Sequence, residues 1–253
     1  MPVCDRFFAA GRGLKENMLQ KLDISLIRDL PPFRDMDESA LRALLMQARS
    51  QRIAKGVHIF IQGQPAREFF LLLDGHIRVV KLTPQGDQFV PRYISSGELF
   101  GIAMALGVDA YPADAVAARD CVILVWPNTL WPDLVANHPT FATNTLATVG
   151  KRLAETQLQL AELATERVEQ RVANAVLKLA KQTGKKTAEG IVIDFPVSRQ
   201  DISDMTGTTL HTVSRLLSAW ETAGWVKSGR QKITLTDGHR LVLIAHGKER
   251  TQG

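Results

Sequence analysis

The stretch Ser198–Leu217, SRQDISDMTGTTLHTVSRLL, constrains the fold of this 253-residue chain more than any other. Its residue types spell two short helices joined by a tight turn. Ser198 suits the cap of the first helix, and Asp201 sits three positions on, near that helix's positive end. Ile202 and Met205 form its apolar side. Gly207 stands where the chain must turn sharply, because glycine takes positive φ without steric cost. Thr208 is expected to cap the second helix. Along that helix Val213, Leu216, Leu217 and Trp220 recur at helical spacing and should point inward. His211, Ser214, Arg215 and Ser218 fall at i, i+3, i+4 and i+7 on a different face.

A helix with a buried apolar side and an outward row of hydrogen-bonding groups suits the major groove of DNA, so these four are candidate base contacts. Two further features favour this over a plain helical hairpin. Trp225–Lys227 and Gln231–Leu235 are short β-type runs around Ser228–Gly229–Arg230, a turn with a basic tip. Such a hairpin after a recognition helix forms the wing of a winged helix-turn-helix. Its Lys227, Arg230 and Lys232, with Ser198, Arg199, Thr208 and Thr209 at the helix starts, are candidate phosphate contacts. The charge agrees. Residues 167–253 hold 14 Lys+Arg and 8 Asp+Glu, a net of +6, whereas residues 1–166 hold 17 and 18, a net of −1. The overall +5 lies entirely in the last third, as for a nucleic-acid-binding module attached to something else.

No apolar run reaches membrane-spanning length, and the N-terminal MPVCDRFFAAGRGLKENM lacks a long apolar core of a secretory signal. Cys4 and Cys121 are the only cysteines, which points to a reducing, cytoplasmic setting. They cannot supply the four thiolates of an iron–sulfur cluster, short of one shared between subunits. No phosphate-cradling Gly-x-x-x-x-Gly-Lys loop, His-Glu-x-x-His pair or Gly-x-Ser-x-Gly elbow occurs, so no enzyme and no metal site is expected.

Upstream, residues 33–49 read as an amphipathic helix capped by Asp37, with Leu41, Leu44, Leu45 and Ala48 on one side. From about 52 to 126 the texture changes to short runs: Val57–Ile61, Phe69–Leu73, Ile77–Leu82, Gln88–Ile94 and Cys121–Trp126. The pairs Asp74–Gly75 and Gln85–Gly86 predict hairpins. Many short strands with regular turns imply a β-roll. Pro139 then opens a long helix. Leu146, Leu153 and Leu160 fall seven apart, with Val149, Thr156 and Leu163 in a second row offset by three. Lys151, Arg152, Glu155, Gln157, Gln159 and Glu162 leave the other faces polar. So narrow a stripe predicts pairing with one partner helix, hence a homodimer.

This order, β-roll then long helix then winged helix-turn-helix, resembles the CRP/FNR family of bacterial transcription regulators. The likeness spans roughly residues 30–245 and is carried by KGVHIFIQGQPAREFFLLLDGHIRVVK, SSGELFG and MTGTTLHTVSRLLSAWE. It implies an α+β chain. Residues 1–30 would be an arm, 31–138 an effector-type β-roll, 139–166 the dimerisation helix, and 167–253 the DNA-binding domain. Members bind palindromic promoter sites as dimers beside RNA polymerase, and an effector in the roll reorients the DNA-binding domains. The family's Glu-x-x-Ser-Arg recognition pattern stands here as His211-Thr212-Val213-Ser214-Arg215, with the glutamate replaced. Arg215 keeps the expected pairing to guanine O6 and N7, which implies a TTG-containing half-site. Imidazole presents one donor and one acceptor, so the preference beside that guanine should differ.

The resemblance also bears on the effector. Gly97, Glu98, Leu99 and Tyr111 mark the expected pocket. The Arg-Ser pair that holds cyclic phosphate in the cyclic AMP branch falls on Tyr111 and Pro112, so cyclic AMP is not expected. The haem-based carbon monoxide sensors carry a histidine where Ala103 and Met104 stand. TGTTLHTVSRLLSAWE and YPADAVA look most like the nitrogen-oxide-responsive, NnrR-like branch, which controls nitrite and nitric oxide reductase genes. Haem is left open as a carrier of that signal. None of the histidines at 58, 76, 138, 211, 239 and 246 is selected by its neighbours as an axial ligand; Pro2 is another candidate, and Cys4 a candidate reactive thiol. The alternative is a ligand-independent activator whose roll is purely structural.

Overall fold

A computed structural model describes residues 24–84, 86, 88–193, 196–229 and 232–248. Pro2, Cys4, Arg230 and most of the expected arm lie outside the described residues.

Helix α1, Glu38–Met46, begins where Asp37 accepts from the amides of Ser39 and Ala40 at 2.9 and 3.3 Å. It is shorter than the periodicity suggested. Ala48 is buried outside it, and Arg49–Ile53 is strand β1, because these residues pair with a neighbouring strand instead of continuing the helix. Seven strands follow: β2 His58–Phe60, β3 Glu68–Asp74, β4 Ile77–Leu82, β5 Gln88–Ile94, β6 Leu99–Phe100, β7 Asp114–Ala117 and β8 Cys121–Pro127. They form two antiparallel sheets, ordered β1-β8-β3-β6 and β2-β7-β4-β5. The runs FFLLL and CVILVW lack the usual alternation because β3 and β8 are buried on both faces. Phe70, Leu72, Ile123 and Val125 point into the roll; Phe69, Leu71, Leu124 and Trp126 point out, under helices. Trp126 also donates to the Leu44 carbonyl at 2.8 Å, which ties α1 down.

The Asp74–Gly75 turn is no hairpin. β3 belongs to one sheet and β4 to the other, so the chain crosses between layers there. The crossing demands glycine: φ is +106°, and a Cβ would sit 2.6 Å from Cys121 Sγ and 2.7 Å from the Asp120 carbonyl. The turn after Leu82 is the expected hairpin, joining paired β4 and β5.

Helix α2, Trp131–Asn137, leads into α3, Pro139–Thr165. The anchored face of α3 is polar below Phe141. Thr145 is buried and Thr148, Arg152, Glu155, Gln159 and Glu162 are half-buried against their own chain. Asn144 donates to the Arg34 carbonyl at 2.8 Å, and Arg152 donates to the Leu99 carbonyl. The leucines turn outward: Leu146, Leu153 and Leu160 are 71%, 59% and 62% exposed.

The last third packs α4 (Val168–Thr183), β9 (Gly184–Thr187), β10 (Gly190–Ile193), α5 (Arg199–Thr206), α6 (Leu210–Thr222), β11 (Val226–Gly229), β12 (Lys232–Leu235) and α7 (Gly238–Ala245). Its sheet runs β11-β12-β10-β9, so the wing hairpin extends a second hairpin. Val172, Ile202, Val213, Leu217, Trp220 and Leu241 are its fully buried centre. No helix among the described residues is long and apolar enough to cross a membrane.

Candidate nucleic-acid interface

Helix α5 starts on a reciprocal capping box: Ser198 Oγ accepts from the Asp201 amide, and Asp201 accepts from the Ser198 amide at 2.8 Å. It ends at Gly207, whose φ of +59° turns the chain into α6. The cap of α6 is Thr209, whose hydroxyl accepts from the Thr212 amide at 3.2 Å. Thr208 was the expected cap; its carbonyl is instead taken by the Ser203 hydroxyl at 2.6 Å, which closes the inter-helix turn.

Burying Val213, Leu216, Leu217 and Trp220 leaves the opposite side of α6 open. His211, Arg215 and Ser218 are exposed together and Ser214 is half-buried between them. Leu210, 45% exposed, stands beside His211 at the head of this row. Helical periodicity did not single it out, because an apolar residue is ordinarily assigned to the core.

The wing is tied to the helices. Glu221, at the end of α6, accepts from the Ser228 amide and hydroxyl at 3.0 and 2.9 Å. Arg199 at the start of α5 donates to the same hydroxyl at 3.3 Å. The Ser228 bonds hold the Glu221 carboxyl below its usual range. Lys232 is exposed, as are Thr209 and Lys227, whereas Ser198, Arg199 and Thr208 are half-buried. Lys227 pairs with Glu189 of the β9–β10 turn at 2.9 Å, so of the wing cations it carries a competing partner. Glu189 and Glu221 had no signal in the sequence, since the contacts span 38 and 7 residues.

Of the expected dimer residues, Leu146, Leu153, Thr156, Leu160 and Leu163 are exposed, while Val149 packs toward the roll's own core. The four expected pocket residues are not brought together. Gly97, Glu98 and Leu99 border a cleft of about 300 Å³ under α3. Tyr111 is buried, stacked on Phe60 at 3.9 Å between ring centres, and its hydroxyl donates to the Glu68 carbonyl at 2.8 Å. A separate apolar cavity of about 140 Å³ opens between the sheets, lined by Phe60, Val79, Ile94, Phe100, Ile102 and others. Arg92 and Arg152 border both spaces. Glu98 bridges them, in close contact with Arg92 and 3.9 Å from Arg152. Burial, reinforced by the Arg92 charge, pushes the Arg152 guanidinium down to about 10, and Arg152 Nε has no hydrogen-bond partner among the described residues. In the sequence Arg152 belongs to a polar face of the helix; only the tertiary fold brings it to Glu98.

Comparison with known proteins matches this architecture in two places. A family model described as Crp-like helix-turn-helix domain covers residues 170–244, and one described as cyclic nucleotide-binding domain covers residues 50–138. The chain belongs to the CRP/FNR family of DNA-binding transcription regulators. Within that family it is 28% identical to the cyclic AMP receptor protein of Thermus thermophilus, over 86% of this chain and 97% of that one. It is 23% identical to the fumarate and nitrate reduction regulatory protein of Salmonella typhimurium, over 78% of each. The structure of FixK2 from Bradyrhizobium japonicum shares the fold, with a TM-score of 0.69 at 24% identity over 81% of this chain and 99% of that one. These relatives are named as a receptor protein and a regulatory protein, not as enzymes.

Proposed function

We propose that this CRP/FNR regulator acts as a homodimer on a palindromic TTG-type promoter site, beside RNA polymerase, and controls nitrite and nitric oxide reductase genes in response to nitrogen oxides. The observation that carries the DNA reading is the open row His211, Ser214, Arg215 and Ser218 on a helix whose opposite side is buried. Arg215 reads the guanine, and Leu210 meets a thymine methyl beside it. Ser198, Arg199, Thr208, Thr209, Lys227 and Lys232 take phosphates. The outward leucine row of α3 supports pairing with a second copy.

The size and lining of the roll's cavity support a small effector. At about 140 Å³ it is far below the roughly 300–1,000 Å³ of sites for drug-sized ligands. Arg152 borders the cavity and has an Nε without a hydrogen-bond partner among the described residues, and its guanidinium is a donor that an oxygen of a small nitrogen oxide would satisfy. Tyr111 and Pro112 offer no cation for a cyclic phosphate. The residues lining the cavity include no imidazole, thiol or phenol, so they do not fit a haem. One observation favours the ligand-independent alternative: Glu98 already pairs with Arg92 and lies 3.9 Å from Arg152, so the chain itself supplies an anion there.

The test is titration of a TTG…CAA duplex and a scrambled duplex at several salt concentrations, with and without nitrite or a nitric oxide donor. The proposal expects preference for the palindrome, affinity that falls as salt rises, and tightening with the nitrogen oxide. Equal affinity for the scrambled duplex would overturn the site reading. Tight binding unaffected by either compound would overturn the sensor reading and leave the ligand-independent one.

A further inference from the structure

Strand alternation gives β4 and β5 two duties. Val79, Arg92 and Ile94 line the cavity between the sheets. Their neighbours Arg78, Val80 and Tyr93 point the other way, onto the helix-turn-helix unit. Arg78 Nη1 lies 2.8 Å from Asp201 Oδ1, in the first turn of α5. Asp201 is 6% exposed, and its other oxygen is held by the amide and hydroxyl of Ser198. Tyr93 lies beside the same carboxylate. Around this pair Val80, Val90 and Tyr93 join one apolar cluster with Ile202 and Val213. At its far end α5 is held by Gln159 of α3 on the Met205 carbonyl at 3.3 Å, and by Arg171 of α4 on the Thr206 carbonyl at 3.1 Å.

These grips differ in what they cost to release. Arg171 sits in the same unit as α5 and moves with it. Arg78 reaches across from the roll. Withdrawing Arg78 leaves Asp201 its bonds to Ser198, so α5 stays capped while the seam opens. A contact that can break without unfolding either side is the requirement for a two-position element. The seam also lies beside Ser198 and Arg199, which are half-buried while His211 and Arg215 are exposed.

We propose that the Arg78–Asp201 pair is a latch that holds the helix-turn-helix unit against its own roll in a resting arrangement of low operator affinity. The operator half of this inference rests on the proposed function; the latch itself does not.

Three variants test it: Arg78→Met, which keeps the apolar stem, Arg78→Lys, which keeps the charge, and Asp201→Asn, which keeps an acceptor for Ser198. Each is measured for affinity to the TTG…CAA duplex without effector. Each is also measured for the distance between dyes on Lys55→Cys in the roll and His239→Cys in α7, in a Cys4→Ser background. Arg78→Met and Asp201→Asn should each tighten binding about fivefold or more. They should broaden the dye distance, and their combination should add little. Arg78→Lys should stay near the parent. Unchanged distance and affinity in Arg78→Met would overturn the latch. So would weaker binding with an unchanged urea midpoint, which would make the pair part of the binding form. A parent protein that fails to distinguish the palindrome from the scrambled duplex would sink the operator reading, while the dye distances still decide the latch.

Discussion

Arg215 and Arg152 show how one residue type takes opposite roles according to its surroundings. Arg215 stands exposed on α6 beside His211, with its guanidinium available to a base edge. Arg215→Ala should cost roughly 1–3 kcal/mol of discrimination at one base pair, measured as the ratio of affinities for matched and substituted half-sites. An equal loss on every sequence would mark a phosphate contact instead. Arg152 is mostly buried, and its charge is opposed by Glu98 and aggravated by Arg92. Glu98→Gln would leave two cations facing each other in a half-buried site. Its unfolding free energy should fall by about 1–3 kcal/mol, read from the urea midpoint at constant slope. The exposed arginine was legible from helical spacing alone. The buried one was not, because Glu98 and Arg152 are 54 positions apart and meet only through packing of α3 on the roll.

Among the elements, the wing carries the most testable geometry. Its attachment to α6 runs through Glu221, whose carboxyl sits below the ordinary 4.5 because Ser228 donates to it twice. A depressed carboxylate stabilises the fold above its unfolded value and loses that contribution as pH falls through the folded one. The Ser228 amide resonance should therefore hold steady from neutral pH to about 4.5 and shift only below it. In Glu221→Gln that transition should vanish. The Lys227–Glu189 pair is more than half exposed at both ends, so solvent screens it and it adds little to stability. Glu189→Gln should free Lys227 for a phosphate, tightening DNA binding at low salt and steepening the salt slope by about 0.9. The wing strands were legible from their β-type runs. The second hairpin, β9–β10, was not, because Gly184–Thr187 is fully exposed and has no alternation to detect.

For the whole molecule, the proposed homodimer rests on α3. Its polar side faces its own roll and its leucines face outward, the reverse of a helix that completes a monomeric core. Leu153→Lys with Leu160→Lys should give a monomer by sedimentation. The thermal melt should barely move, since both side chains are largely exposed in the single chain. Affinity for the two-half-site operator should drop about a hundredfold or more, because the second half-site contact would no longer be intramolecular.

What the linear order of residues determined was everything governed by neighbours within a few turns or strand steps. It specified the two helices around Gly207, the buried side of α6, the seven-residue leucine spacing of α3 and the two-sided burial of β3 and β8. These depend on local backbone preference and on periodicity, which survive in the sequence itself. What only the tertiary structure decided was which distant charges meet. Arg78 reaches Asp201 across 123 positions, Glu98 couples Arg92 to Arg152, and Glu189 engages Lys227. The Asp74–Gly75 turn likewise became a crossing between sheets and not a hairpin. A turn signal marks where a chain bends; which strand it bends toward is chosen by the packing of all the others.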